Sequence, residues 1–129
     1  MIKFIIITFT FFFFQITQAS EIEGFPKIVD GDTIYIKSYK IRLEGIDAPE
    51  MKQKCKKPFF QVMFFNFEKD YYCGQISKKK LAQIIGNKPV KCILLGKDRY
   101  KRYLAKCLKD TVNLNRWMVR NGYAIAYRK

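Results

Sequence analysis

Carboxylate side chains cluster in one short stretch of a strongly basic chain. Five of its 11 acidic residues fall between positions 30 and 50, whereas the formal net charge of the whole chain is +14. Like charges repel one another, so such a cluster is costly unless a cation neutralises it. Neighbouring carboxylates suit a hard divalent cation, which takes oxygen ligands. The alternative is a solvated acidic face. The five residues are Asp30, Asp32, Glu44, Asp47 and Glu50.

The acidic cluster is divided between two turns, "DGD" at 30–32 and "IDAPE" at 46–50. This spacing differs from the single contiguous loop of an EF-hand. A shared cation site therefore requires the two turns to meet at neighbouring strand ends.

Two arginines add phosphate chemistry to the carboxylates. Arg42 lies on the polar face of the strand that leads into Asp47, and Arg102 follows a hairpin turn in "KDRYKRYLA". Guanidinium groups bind phosphate through paired hydrogen bonds and stabilise negative charge that develops on it. The chain contains no histidine, so a histidine cannot serve as the base at such a site.

The strands that must position these side chains can be read from the pattern. "KIVDGDTIYIK" is strand-like on both sides of its turn, and "YKIRLEGI" alternates. In that second segment Ile41 and Leu43 point to one face, whereas Arg42 and Glu44 point to the other. "PVKCILL" and "RYLAKCLK" predict a hairpin.

Apolar residues at helical spacing predict two helices. The first lies in "GQISKKKLAQIIG" and ends at Gly86, and the second lies in "NLNRWMVRNG" and ends at Gly122. Trp117 is expected in the core. The order strand, strand, helix, strand, strand, helix indicates a mainly β, α+β fold, namely a small barrel with flanking helices. An open α+β sandwich gives the same pattern.

The four cysteines have a preferred pairing. Folding the predicted hairpin about its midpoint brings Cys92 opposite Cys107, and cross-strand neighbours lie close enough to form a disulfide. Cys55 and Cys73 then pair with each other. A zinc site is the rival interpretation, but the chain has neither a CxxC pair nor a histidine.

The first 19 residues have the layout of a secretory signal peptide. "MIK" is followed by an apolar run at 4–14, and small residues, Thr17 and Ala19, precede a cleavage point after Ala19. The apolar run is shorter than the roughly 20 residues of a spanning helix, although an uncleaved signal that anchors the protein is the alternative. We therefore expect one domain at 20–129, exported to the periplasm or secreted, where disulfides persist.

Two further features bear on the partner. The net charge of +14 attracts polyanions, either nucleic acid or an anionic membrane surface, unless it serves only solubility. The segment 58–72 is rich in aromatic residues. It is either a packed loop beside Cys55 and Cys73 or an exposed surface that stacks nucleobases.

The ordered set "VDGDT", "IRLEGIDAPE", "DRYKRYLA" and "NRWMVRNGYA" resembles the thermonucleases, the staphylococcal-nuclease-like family, from about Lys27 to the end of the chain. The resemblance implies a five-stranded OB-fold barrel with flanking helices. It also implies a Ca²⁺-dependent endonuclease that hydrolyses DNA and RNA with little sequence preference and leaves 3′-phosphates. We expect a monomer without a stable protein partner.

The resemblance assigns a role to each matched residue. Asp32 and Asp47 would be carboxylate ligands of calcium, and Ala48 would contribute its main-chain carbonyl. Asp30 matches an outer-shell acid of the family, although it could equally cap its turn.

The catalytic side chains follow from the same match. Glu50 would act on the attacking water, as general base or as its orienting group, and Arg42 and Arg102 would grip the scissile phosphate. One departure is Lys101, which replaces the glycine that the family usually has before the second arginine. If that position needs a positive φ, lysine costs about 1 kcal/mol and could displace Arg102. The competing hypotheses are a non-catalytic OB-fold protein that binds single strands and a basic protein of anionic membrane surfaces.

Overall fold

The computed structural model describes residues 13–16, 18–55 and 72–127, which form nine short strands and two helices. The strands are β1 (Glu21–Gly24), β2 (Pro26–Asp30), β3 (Thr33–Ile36), β4 (Tyr39–Leu43), β5 (Ile46–Asp47), β6 (Val90–Lys97), β7 (Tyr103–Lys109), β8 (Val112–Asn113) and β9 (Ile125–Ala126). The helices are α1 (Cys73–Ile85) and α2 (Leu114–Arg120).

The main sheet has the strand order β1-β6-β7-β4-β3-β2, and β8 pairs with β7. All pairs in it are antiparallel except β4 with β7, which run parallel. The sheet curls into a half-barrel with two helices, which confirms the mainly β, OB-fold-like architecture. The five expected strands correspond to β2, β3, β4, β6 and β7.

Within the described residues, the structure has four short strands beyond the predicted five. β1 adds to the edge of β6, β8 pairs with β7, and β5 pairs with β9 in a separate two-stranded sheet. "EIEG" gives little strand signal because glutamate and glycine are depleted in strands. Pairing overrides that preference, and Lys91 Nζ lies 3.1 Å from Glu21 Oε2 across the edge.

The core lies between the inner face of the sheet and the two helices. The predicted alternation in β4 is confirmed, since Ile41 and Leu43 are fully buried and Arg42 is on the outer face. The largest fully buried apolar side chains are Ile34, Ile36, Ile41, Leu43, Leu81, Ile85, Leu114 and Met118.

Both helices occur where the periodicity predicts them. The chain leaves α1 at Gly86, whose φ is 59°, a conformation that glycine adopts without steric cost. In α2, Asn113 caps the first turn by accepting a hydrogen bond from Arg116 N, and Gly122 follows the helix with a φ of 77°. Trp117 packs against the core while only partly buried. Within the described residues, no helix is long and apolar enough to cross a membrane.

The structure confirms both disulfides, Cys92–Cys107 and Cys55–Cys73, so all four cysteines are paired and none is available to zinc. Cys92 and Cys107 are direct cross-strand partners of β6 and β7, as the folded hairpin predicts. The signal-peptide prediction falls mostly on residues 1–12 and 17, outside the described residues. The two interpretations of segment 58–72 concern residues of which only Tyr72 is described.

Candidate active site

The turn between β2 and β3 is held in place from two sides. Within it, Asp30 Oδ1 accepts a hydrogen bond from Asp32 N at 3.1 Å. From outside, α1 packs so closely on Gly31 that a Cβ there would lie 1.9 Å from Ser77 Oγ. Ser77 Oγ in turn donates to the Tyr123 carbonyl at 2.7 Å. The acidic turn is therefore fixed by its own side chain, by α1 and by the segment after α2.

Asp32 joins the two acidic turns. Its Oδ2 accepts a hydrogen bond from Ala48 N at 3.0 Å, and its Oδ1 accepts one from the Thr33 hydroxyl at 2.9 Å. The side chain is almost fully buried, so these bonds are made in a protein interior where they are strong. The prediction that the two turns meet is confirmed.

Arg42 lies between two of the predicted metal ligands. Its Nη2 is 3.5 Å from Asp47 Oδ1 and 3.8 Å from Asp32 Oδ2. The Arg42 and Asp32 side chains are mostly buried, whereas about half of the Asp47 side chain is exposed. One guanidinium thus neutralises two carboxylates that come from separate turns.

Asp30 acts as a cap of the turn. Burial, together with the hydrogen bond to Asp32 and the negative charge of Asp32, raises the pKa of its carboxyl to about 6. The acidic turn therefore resists carrying two negative charges. The outer-shell role that the resemblance assigns to Asp30 stays a prediction.

Asp32 and Asp47 fit a shared cation, since both carboxylates already approach one positive charge. No group of three or more histidine, cysteine or acidic side chains that could hold a metal occurs within residues 13–16, 18–55 and 72–127. Ca²⁺ takes six to eight oxygen ligands, so other oxygens, such as the Ala48 carbonyl, water and substrate, would have to complete the set.

Arg102 is positioned by a residue that the sequence indicated only as part of a turn. Its Nε donates to Asp98 Oδ2 at 2.7 Å, and Asp98 Oδ1 accepts from the backbone N–H groups of Tyr100 and Arg102. Burial alone raises the pKa of Asp98, but hydrogen bonds from Arg102 and Tyr100 and the Arg102 charge outweigh it and lower that pKa. The sequence signal that could have indicated this contact is the i, i+4 spacing of an acidic residue and an arginine around a hairpin turn.

Lys101 adopts a φ of 62°, so the position does need the positive φ that the family's usual glycine supplies. Arg102 nevertheless keeps its bonds to Asp98, and its guanidinium lies 5.6 Å from the ring centroid of Tyr100. Lysine is therefore accommodated at this position without displacing Arg102 from Asp98.

The two arginines share one face of the sheet. Arg42 of β4 is the partner of Leu104 in the parallel pairing with β7. Arg102 precedes Leu104 by two residues, and side chains two apart along an extended chain point to the same side. The two arginines that are predicted to bind phosphate are thus brought to one face by the parallel pairing of β4 with β7.

Glu50 is held through its backbone. Its N–H donates to Gln53 Oε1 at 3.3 Å, and its carbonyl accepts from Gln53 N at 2.9 Å. The same carbonyl packs against Gly74, where a Cβ would approach it to 1.7 Å. Among the described residues the exposed carboxylate makes no hydrogen bond or ion pair. The structure therefore fixes the backbone of residue 50, but no hydrogen bond or ion pair links its carboxylate to Arg42 or to the two aspartates beside Arg42.

The family model described as "Staphylococcal nuclease homologue" matches residues 40–129. The chain belongs to this family. The match includes Arg42, Asp47, Glu50 and Arg102, whereas Asp32 precedes it and is tied to the site by the bonds described above.

Relatives of this nuclease homologue include bacterial and plant proteins. An uncharacterized endonuclease of Haemophilus influenzae is 38% identical over 108 residues, which cover 80% of this chain and 51% of that protein. The succinoglycan biosynthesis protein ExoI of Rhizobium meliloti is 34% identical over 109 residues, which cover 83% and 53%. The probable staphylococcal-like nuclease CAN3 of Oryza sativa is 29% identical over 93 residues, which cover 72% and 20%. The chain spans about half the length of the first two relatives.

Proposed function

We propose that the protein is a calcium-dependent endonuclease that hydrolyses phosphodiester bonds of DNA and RNA with little sequence specificity and leaves 3′-phosphates. The observation that carries this proposal is the Arg42 guanidinium between Asp32 and Asp47, on the sheet face that Arg102 shares, in a chain of the staphylococcal nuclease homologue family. The net charge of +14 favours a polyanionic substrate.

Arg42 and Arg102 bind the scissile phosphate in this proposal. Both are mostly buried, and charge stabilisation is stronger where water is excluded. Each is oriented before substrate arrives, Arg42 by Asp32 and Asp47 and Arg102 by Asp98. Such preorganised donors can stabilise the negative charge that develops on the phosphate oxygens without a reorganisation cost.

Glu50 supplies the base. Its carboxylate accepts a proton from a water molecule as the water oxygen bonds to phosphorus. The bond from phosphorus to the 5′ oxygen breaks, and the 5′ oxygen takes up a proton from solvent to leave as a hydroxyl. A positioned carboxylate contributes about 10²–10⁴-fold to such a step. The bonds between Glu50 and Gln53 and the close packing on Gly74 keep the backbone of the base fixed against α1.

Calcium, when bound, would supply electrophilic polarisation of the scissile phosphate. Asp32, Asp47 and the Ala48 carbonyl are the residues that would hold it. Asp32 is preoriented for this by the Ala48 N–H and the Thr33 hydroxyl.

We also propose that the protein is an exported monomer, directed by a signal peptide at 1–19 to the periplasm or the medium. The pairing of all four cysteines supports an oxidising compartment. The domain would then comprise residues 20–129.

The test is an incubation of purified, oxidised protein with single-stranded DNA or RNA, with calcium or with a chelator. We expect calcium-dependent shortening of the strands, a 3′-phosphate on the products, and turnover reduced by orders of magnitude in Glu50→Gln with little change in binding. Intact strands that still shift on a gel under both conditions would contradict the proposal and indicate a non-catalytic binding protein.

A further inference from the structure

A strip of aromatic and basic side chains lies on the outer face of the β2–β3–β4 sheet, beside the candidate active site. We name it the hairpin strip, and its residues are Phe25, Lys27, Tyr35, Lys37 and Lys40. Four of them, all but Lys40, line a shallow groove of about 360 Å³.

Strand register places these residues side by side. Lys27 of β2 is the partner of Tyr35 in β3, and Tyr35 is the partner of Lys40 in β4. Neighbouring strands lie about 5 Å apart, so the three form one row across the sheet. The Lys40 ammonium lies 5.8 Å from the centroid of the Tyr35 ring, which presents an aromatic surface and a cation together.

The strip is continuous with the arginines of the site. Lys40 precedes Arg42 by two residues in β4, so the two side chains share a face about 7 Å apart along the strand. The parallel pairing of Ile41 with Tyr103 places Arg102 next to Lys40 on the neighbouring chain segment. A strand of nucleic acid whose phosphate lies between Arg42 and Arg102 thus has the strip directly beside it.

The charge of the strip is unneutralised. Its three lysines are exposed and make no ion pair with any described residue, whereas Lys88 and Lys91 elsewhere on the surface pair with Asp110 and Glu21. Phe25, with 72% of its surface exposed, adds an apolar ring at the end of the groove. Lysines without ion pairs to the described residues, around the exposed Phe25 ring and the half-buried Tyr35 ring, match a ligand that has phosphates and accessible base faces.

We infer that the hairpin strip binds the nucleotides that flank the scissile phosphodiester in single-stranded nucleic acid, with bases stacked on Phe25 and Tyr35 and phosphates neutralised by the lysines. A single strand fits better than a duplex because base faces in a duplex are already stacked. The inference rests on the proposed nuclease function, but its test does not require cleavage.

The experiment measures binding of a fluorescent single-stranded DNA by anisotropy, in chelator, over a range of salt concentrations. The strand is about 16 nucleotides long, the upper site size of an OB fold. Phe25→Ala is expected to weaken binding by about tenfold through the lost stacking, and Phe25→Tyr, which keeps a ring, restores it. Lys27→Gln/Lys37→Gln is expected to reduce the slope of log K against log salt by about 1.4.

The matched control is Lys78→Gln/Lys79→Gln, which removes the same charge from α1. Equal losses in the control and the strip variants, or no loss in Phe25→Ala, would overturn the inference. So would strip-dependent binding to phosphatidylserine vesicles with unchanged binding to DNA, and so would a Phe25→Ala loss that is as large for duplex as for single strands. Thermal melts verify that each variant is folded.

Cleavage by the wild type, measured in parallel with calcium, separates this inference from the proposed function. If the wild type binds through the strip but cleaves nothing, the nuclease proposal fails, whereas binding of single strands by the strip stands. If it cleaves and the strip variants bind like the control, the strip inference fails and the nuclease proposal stands.

Discussion

At the scale of single residues, Asp32 and Asp47 share the predicted role of calcium ligand but lie in different environments. Asp32 is nearly buried and accepts hydrogen bonds on both oxygens, whereas the Asp47 carboxylate is half-exposed and forms an ion pair with Arg42. The Asp32 side chain therefore stabilises the fold, whereas the Asp47 side chain does not.

We expect Asp32→Asn to destabilise the protein by about 1–3 kcal/mol, because an amide has one acceptor oxygen where the carboxylate has two and leaves a buried partner unsatisfied. Asp47→Asn is the matched control and should change stability by less than about 0.5 kcal/mol. Both should strongly reduce calcium-dependent cleavage. Urea denaturation of the two variants measures the difference, and equal stability losses would contradict this account of Asp32.

Lys101 provides a second test at this scale. A non-glycine residue at a φ of 62° pays a steric cost that glycine avoids. We expect Lys101→Gly to be more stable than Lys101→Ala by about 1 kcal/mol. The alanine variant removes the same side-chain charge, so the pair isolates the backbone. Equal stability of the two in thermal melts would show that the positive φ carries no cost.

At the scale of elements, the turn between β6 and β7 couples hairpin stability to the placement of Arg102. Asp98 accepts three hydrogen bonds in this turn, and its side chain is mostly buried. Its pKa is lowered in the folded state, so its contribution to stability is present above the ordinary value of 3.8 and is lost as the pH falls below it.

We expect Asp98→Asn to cost about 1 kcal/mol at neutral pH, since a charge-assisted bond is replaced by a neutral one. The difference in melting temperature from the wild type should shrink as the pH falls below 3.8. Cleavage should also fall, through a misplaced Arg102. A pH-independent difference would mean that the Asp98 charge does not stabilise the turn.

An element could be predicted from the sequence where the residues of that element carry its signal themselves. The register that joins Cys92 to Cys107 follows from the hairpin alone, and both helices carry their own periodicity and end signals. β1, β5, β8 and β9 were missed because segments of two to four residues form a strand only where a partner strand provides the pairing. The contact between Asp32 and Ala48 could be predicted because a shared cation requires the two acidic turns to meet. The contact of Ser77 with Gly31 depends on how α1 packs, which no local sequence pattern indicates.

At the scale of the whole molecule, the two disulfides have separate effects. Cys92–Cys107 links two central strands, with a sequence separation of 15. Cys55–Cys73 joins the end of the Glu50 loop to the first residue of α1. The first crosslinks the core of the barrel, and the second anchors the backbone that carries the proposed base.

We expect Cys92→Ala/Cys107→Ala to lower the free energy of unfolding by about 3 kcal/mol, the typical effect of closing a loop of this length. Cys55→Ala/Cys73→Ala should reduce turnover by a larger factor than the first pair does when both are assayed well below their melting temperatures. Denaturant titrations and cleavage assays of the two variants check this. A hairpin variant with the larger loss of turnover would contradict the assigned roles.

Because β5 pairs with β9, the site can form only after β9 has been synthesised. Asp47 is the partner of Ile125, and the turn with Asp32 rests on a helix whose Ser77 is bonded to Tyr123. Asp32 and Asp47, in the first half of the chain, thus depend on residues near position 125, which the ribosome adds much later. A growing chain cannot assemble the site until position 125 has been synthesised and is free to fold. If the protein cleaves nucleic acid, the order of synthesis itself keeps the unfinished chain harmless to the cell that makes it.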